Sequence, residues 1–453
     1  MPSIPNDLWW EIIPHAISLE NNLAMVKPSS ERLFPFFPGS FSGFSDTHFY
    51  SSQLAIWKRT NIVALKLVQV NRLWRGIAER FLYSAFYVEE EWRVQRFIDT
   101  VKLKPSLAKQ LRTLVIMPPF CTRGVEEGRF GPLVVQVLSL CDGIVAMVMQ
   151  SDIMSSPLPL FPSLDSSRPL LLLSALSLRE EEFTTFMINF NNYTSLQVLE
   201  LSVSNSNSNS NTLPPFPQHI AFPSLHTLIL KGHFLDALVL SIVGKWELPS
   251  LKELSISRWT FSVSTPLLPL IQRSYERLEF LDICLDLLHD LAFHDTIRAP
   301  PFHLRNVTLN MASSVYSSPP MRPATEPFFG HVVTLGIINF GMIRSEDTSA
   351  WVQFFLDPMY MPHLRSVLTD VTKNLLDQCF LPLCDAIRTF EKVLEDRGVA
   401  FNGVMDDRSS FVPIKRLHRD VLEVRMSLFS NGSMLITSPI VIYSPWELRA
   451  VST

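Results

Sequence analysis

Phe222-Pro-Ser-Leu-His-Thr-Leu-Ile-Leu-Lys231 reads as a turn followed by a strand, with the skeleton Leu225-x-x-Leu228-x-Leu230. The skeleton recurs as Leu196-x-x-Leu199-x-Leu201, Leu251-x-x-Leu254-x-Ile256, Leu278-x-x-Leu281-x-Ile283 and Leu304-x-x-Val307-x-Leu309, whose starts lie 29, 26, 27 and 26 residues apart. A steady period in the twenties is the signature of a stacked repeat. Further copies precede these, at Leu111-x-x-Leu114-x-Ile116, Ile144-x-x-Met147-x-Met149 and Leu173-x-x-Leu176-x-Leu178. Val332-x-x-Leu335-x-Ile337 and a degenerate Leu364-x-x-Val367 follow them.

A strand alternates faces. The apolar residues at positions 1, 4 and 6 of each copy therefore point into the stack, where one repeat cannot bury them alone and neighbouring repeats do so mutually. Helix-like segments separate the copies: Leu133–Leu140, Glu180–Phe190, Phe234–Val243, Pro266–Arg273, Leu285–Phe293 and Ala350–Leu356. Pro-Ser-Leu or a relative leads into several strands, as at Pro223-Ser224-Leu225, Pro249-Ser250-Leu251 and Pro362-His363-Leu364. The expected class is α/β, a solenoid curved with strands on the concave side and helices on the convex side, because helices are wider than strands. Past residue 370 the rhythm fades into a helix over Lys373–Asp396 and mixed pieces to Thr453, expected to cap the last repeat.

The chain has 453 residues, 47% hydrophobic and 18% charged, with a net charge of −4. That suits a large core and gives no reason to expect nucleic acid, whose binders show basic patches or stripes. The five cysteines form no C-x-x-C pair and read as free thiols of a reducing compartment. The N-terminus lacks a basic, apolar leader pattern, and the most apolar window, Pro132–Gln150, is broken by Cys141-Asp142-Gly143. It reads as helix, turn and strand rather than a membrane span. The expected location is cytoplasmic or nuclear. Asn205-Ser-Asn-Ser-Asn-Ser-Asn211 reads as a polar loop.

Residues 1–18 read as a short helix with an apolar stripe of Leu8, Ile12, Ile13 and Ala16. Residues 54–86 carry a second helical pattern, and Trp92–Lys104 a third that stops at Pro105. Between the first two lies a Pro-, Phe- and Ser-rich stretch.

Ile4-Pro5-Asn6-Asp7-Leu8-Trp9-Trp10-Glu11-Ile12-Ile13 resembles the first half of the F-box, and Leu67-Val68-Gln69-Val70-Asn71-Arg72-Leu73-Trp74-Arg75-Gly76-Ile77-Ala78 resembles the second. Phe81-Leu82-Tyr83-Ser84-Ala85-Phe86 looks like the lead-in to a strand in F-box-like proteins of mushroom-forming fungi. Joined to the repeats, the chain is similar to an F-box/leucine-rich-repeat protein. Two departures stand out: Asn71 where cysteine is common, and the long gap between the halves. Either the gap loops out and the helices still assemble, or the box is degenerate.

The resemblance implies an F-box-like helical domain at 1–90 with an insertion at 18–64, a leucine-rich-repeat solenoid at 91–370 and a capping region at 371–453. It implies a substrate-recognition subunit of an SCF-type cullin-RING ubiquitin ligase. Pro5, Leu8, Ile12, Ile13, Val70 and Trp74 would meet a Skp-type adaptor and, through it, a cullin. The alternative reading of these residues is the core of a small helical domain. The alternative function is a non-catalytic leucine-rich-repeat scaffold with a degenerate F-box.

Strand positions 3, 5 and 7 are expected to face the concave surface. Arg179, Glu200, Lys231, Glu253, Asp282, Asn306 and Asn310 are the candidates to contact a protein substrate, against the plainer reading of solvated surface. Mixed charge on such a face suits a protein ligand better than a phosphate backbone. No phosphate loop, His-Glu-x-x-His motif or nucleophile elbow occurs, so no catalytic residue, metal or cofactor is expected. The pairs His289-Asp290 and His294-Asp295 put their histidines on different helix faces.

Overall fold

The computed structural model describes residues 61–88, 91–116, 130–150, 170–178, 193–203, 220–231, 242–257, 264–284, 303–311, 329–338, 361–369 and 398–402, with 183, 350–351, 353–354 and 392–396 besides. The helix expected at 1–18, the tract 205–211, the segment Leu285–Phe293 and everything past residue 402 lie outside the described residues, as does most of the insertion. The described chain divides after Leu254 into two compact units.

The described part of the first unit opens with two helices, α1 over residues 61–70 and α2 over Arg72–Leu82. Helical spacing alone runs unbroken through 54–86, but the structure breaks it at Asn71. That residue is extended, and its side-chain oxygen accepts the Trp74 amide at 2.9 Å, so it caps α2. Arg75 Nε donates to the Val68 carbonyl near the end of α1 at 3.3 Å, satisfying a terminal group that has no partner within a helix. Ala64, Ile77 and Ala78 form a buried cluster, with Leu67, Leu73, Trp74 and Phe81 packed around it.

Strand β1, Ala85–Val88, follows α2 at once and pairs in parallel with β2, Thr113–Ile116. The sheet therefore begins inside the stretch 1–90. Helix α3, Glu91–Leu103, buries Val94, Phe97, Ile98 and Val101, a face at i, i+3, i+4 and i+7. Phe97 stacks on Phe86 of β1 with ring centroids 4.2 Å apart. Pro105 sits at the start of the short helix α4, Pro105–Ala108, where its missing N–H costs nothing.

Helix α5, Phe130–Leu140, a turn at Asp142-Gly143 and strand β3, Ala146–Gln150, occupy the most apolar window. Among the described residues no helix is long and apolar enough to cross a membrane. Strands β4 (Leu172–Leu178), β5 (Val198–Val203) and β6 (Thr227–Lys231) follow, and β2 to β6 pair in chain order, all parallel. The first residues of β7 (Glu253–Ser257) join β6 through the Lys252 and Glu253 amides, both of which donate to the His226 carbonyl.

The second unit holds helix α6, Ser264–Ser274, and strands β8 (Phe280–Cys284), β9 (Asn306–Asn310), β10 (Thr334–Ile338), β11 (Ser366–Thr369) and β12 (Ala400–Asn402). From β8 to β12 these also pair in chain order and in parallel, so the ladder runs past residue 370. Gly398, at φ 71°, lets the preceding helical turn end with the Val399 amide on the Leu394 carbonyl and the Gly398 amide on Glu395. This is the glycine-dependent helix stop.

The leucine columns are as the alternation demands. Leu225, Leu228 and Leu230 are 0–2% exposed, and their counterparts at Leu251, Leu254, Ile256, Leu278, Leu281, Ile283, Leu304, Val307 and Leu309 are equally buried. Each such side chain contributes roughly 1.5–3 kcal/mol by leaving water. Parallel strands in sequence order, joined by crossovers and cored by these columns, make each unit a run of leucine-rich repeats.

One register differs from expectation. Leu173 pairs with Met147 and with Leu199, both at position 4, so this copy runs Leu170-x-x-Leu173-x-Ala175, three residues earlier than the leucine count suggests. Leu170 to Leu173 are four leucines in succession, which fit the skeleton in more than one way. Strand pairing breaks the tie, and the pairing of β4 with β5 slips between Ala175 and Leu178.

A further column precedes the strands. The carbonyls of Ala108, Tyr193, Phe222, Leu248, Tyr275, Phe329 and Met361 each accept the amide of a position 1 residue three places on. All seven are buried, and so is Cys141, at the same place before Ile144.

Candidate partner-recognition surfaces

Of the residues assigned to adaptor contact, Val70 and Trp74 are described. Val70 ends α1 and is 55% exposed, whereas Trp74 is half-buried against the helical core. Ile62 and Leu65 of α1 are 53% and 51% exposed, and the exposed Lys66 and Gln69 lie on the same face. Pro5, Leu8, Ile12 and Ile13 lie outside the described residues.

On the strands, Glu200 and Glu253 are half-buried in the first unit. Thr227 Oγ1 donates to Glu253 Oε2 at 2.7 Å, a link between neighbouring strands at position 3. In the second unit Ser255 Oγ donates to Asp282 Oδ2 at 2.6 Å, a link at position 5, and both residues are buried. Asn306 is half-buried. Lys231 and Asn310 end β6 and β9, and their side chains, like Arg179, lie outside the described residues.

The strand face opposite the leucines is not the evenly open surface that alternation predicts. Thr227, Ile229, Ser255, Asp282 and Thr308 on it are all buried. Their neighbours account for part of this. Strands lie about 4.8 Å apart, so a short threonine at one level is covered sideways by the side chains beside it. Thr227, for example, is flanked by Val198 in the paired strand and by Glu253.

Sequence reasoning passed over the rim where the strands of the second unit begin. At position 2 of successive repeats stand Arg305, Val333 and Arg365, and one place before position 1 stand His303, His331 and His363. The backbone fixes these columns. The Val333 and Thr334 amides both donate to the Arg305 carbonyl, and the Arg365 and Ser366 amides both donate to that of Val333. The His331 and His363 rings lie nearly parallel, at 12°, with centroids 6.2 Å apart. Arg305, Asn306, His331, Val333, Thr334, His363 and Arg365 line an open groove of 490 Å³. The repeated histidine was visible once the copies were aligned by position rather than scanned for catalytic motifs. Among the described residues no histidine, cysteine and carboxylate cluster is arranged to hold a metal ion.

Sequence comparison finds no protein-family model and no curated protein that matches the chain. Among solved structures, the leucine-rich repeat-containing protein LegL7 from Legionella pneumophila superposes with a TM-score of 0.37 at 12% identity, over 68% of this chain and 98% of its own. A protein from Bacteroides fragilis superposes with a TM-score of 0.33 at 12% identity, over 82% of this chain and 86% of its own. Neither superposition carries an argument at that level. The repeat assignment rests on the strand pairing and the buried columns of this chain.

Proposed function

We propose that the chain is the substrate-recognition subunit of an SCF-type cullin-RING ubiquitin ligase, a binding protein with no chemistry of its own. In this reading the N-terminal helices dock on a Skp-type adaptor and the repeats hold a protein substrate. The motif halves in the sequence suggest it, and three exposed aliphatic side chains on α1 are the observation that carries it. Ile62, Leu65 and Val70 are each more than half exposed, beside a helical core that Ala64, Ile77 and Ala78 already close. Exposed aliphatic side chains gain when another protein covers them, and the exposed Lys66 and Gln69 among them leave the surface mixed, as a non-obligate interface is. The residues that follow α2 run directly into β1, so an adaptor on the helices would be tied to the first repeats.

The test is co-purification of the full chain with a recombinant Skp-type adaptor. Wild type is expected to retain it, and Leu65→Asp with Val70→Asp to reduce recovery at least tenfold, with thermal unfolding unchanged. The pair Leu8→Asp and Ile12→Asp probes the first motif half in the same way. A folded wild type that retains no adaptor sinks the ligase reading and leaves the repeat scaffold.

A further inference from the structure

We propose that the basic rim groove of the second unit binds an acidic segment of a partner protein, reading two carboxylates three residues apart in a polyproline II chain. This deepens the reading of the repeats as a partner-binding surface and is independent of the adaptor.

Charge complementarity identifies the occupant. Two arginines and two histidines line the groove with Asn306, Val333 and Thr334, and no carboxylate is among the lining residues. Arg305, Arg365 and His363 are exposed, and His331 is half-buried. The chain as a whole is acidic, at −4, so a local concentration of cations is not a by-product of composition. The nearest interruption is Glu279, at position 2 of the repeat before Arg305, which ends the basic stretch on that side.

The repeat sets the spacing. Arg305 and Arg365 occupy the same position two strands apart, with Val333 between them. Two strand spacings are about 10 Å, and a polyproline II segment advances about 3.1 Å per residue with three residues per turn, so its residues i and i+3 share one face about 9 Å apart. Carboxylates three residues apart therefore match the two guanidinium groups, each of which can grip a carboxylate with two parallel N–H bonds. The peptide backbone between them passes over Val333, which carries no charge. The nearly parallel imidazoles of His331 and His363 add N–H donors along the same edge. Asn306 and Thr334 supply neutral hydrogen-bonding groups beside them.

The probe is an array of proline-rich synthetic peptides with two glutamates set two to five residues apart, and matching glutamine peptides, exposed to the labelled full-length protein. Retention is expected to peak at a spacing of three, to fall steeply with added salt, and to drop at least tenfold with Arg305→Glu plus Arg365→Glu. Lys252→Glu alters an exposed cation at position 2 in the first unit and is expected to leave retention unchanged. Unchanged unfolding midpoints show that the variants fold. Equal retention of the glutamine peptides, no retention of any peptide, or no loss in the double variant would each overturn the proposal. So would tighter binding of single-stranded RNA that the same double variant abolishes, which would reassign the groove to nucleic acid. Adaptor co-purification by the double variant separates failure at the rim from failure of the ligase reading.

Discussion

The Ser255 hydroxyl donates a 2.6 Å hydrogen bond to the Asp282 carboxylate on the neighbouring repeat, and each residue is only 1% exposed. A buried carboxylate needs hydrogen-bond donors, because its hydration has been stripped away. Ser255→Ala removes one donor and leaves the acceptor in place, which costs roughly 1–3 kcal/mol. Asp282→Asn keeps the shape and discharges the group, so it is expected to weaken the coupling to Ser255. A double-mutant cycle by chemical denaturation checks this: a coupling near zero would mean the pair contributes nothing to stability.

Phe222 and Ile62 make an opposed pair for a second prediction. Phe222 is fully buried, meets Trp246 edge to face with centroids 5.5 Å apart, and carries the carbonyl that receives the Leu225 amide. Phe222→Ala is expected to cost about 3–5 kcal/mol, the range for removing a buried aromatic ring. Ile62 is 53% exposed, so Ile62→Ser is expected to stay within about 0.5 kcal/mol. Denaturant midpoints of the two variants give the contrast directly, and similar losses would contradict the burial assigned to each.

The leucine columns were legible in the sequence because a strict positional repeat and strand alternation leave one arrangement that buries them. The copy at Leu170 was not, since consecutive leucines fit two registers and only pairing with Met147 and Leu199 chooses between them. The break at Asn71 was hidden for a related reason: apolar spacing continues across it, and the signal lay in an asparagine that can cap. Burial of Thr227 and Ser255 could not be read locally, because it depends on what stands beside them on other strands. The rim histidines are too far apart in sequence to form a motif, and they precede the strands, where alternation assigns no face.

Gly143 shows what the turn before β3 demands. A Cβ there would sit 3.0 Å from the Lys109 carbonyl oxygen and 3.2 Å from that of Leu111. Arg112 Nη1 also reaches the Gly143 carbonyl at 3.2 Å, which holds the two turns close. Both obstructing atoms are backbone, so Gly143→Ala is expected to destabilise, and Gly143→Val to do so more, by about 1–3 kcal/mol. Gly76, whose Cβ would meet nothing within 4 Å, is the control: Gly76→Ala lies inside α2 and is expected to stabilise by up to about 1 kcal/mol. Thermal unfolding of the three variants should order them Gly76→Ala, Gly143→Ala, Gly143→Val from most to least stable.

Alkaline pH tests the burial of the tyrosines. Burial pushes the Tyr87 phenol up to about 12 from its ordinary value of 10.0, and pushes Tyr275 higher still. Tyr83 is also raised, first by burial and then by the Glu79 carboxylate, with Arg96 acting the other way. In each case the folded chain keeps a proton that the unfolded chain has released once the pH passes 10.0. The stabilisation is therefore complete below about pH 10 and is lost as pH rises through the folded-state values. The denaturation midpoint is expected to hold up to about pH 10 and to fall from there towards about pH 12, with the fall smaller in Tyr87→Phe, which removes one of the groups responsible. Phenolate absorbance should show Tyr87 and Tyr275 among the last of the chain's eight tyrosines to ionise. Release of all eight near pH 10, with no lag before unfolding, would contradict the burial of Tyr275 and the partial burial of Tyr87.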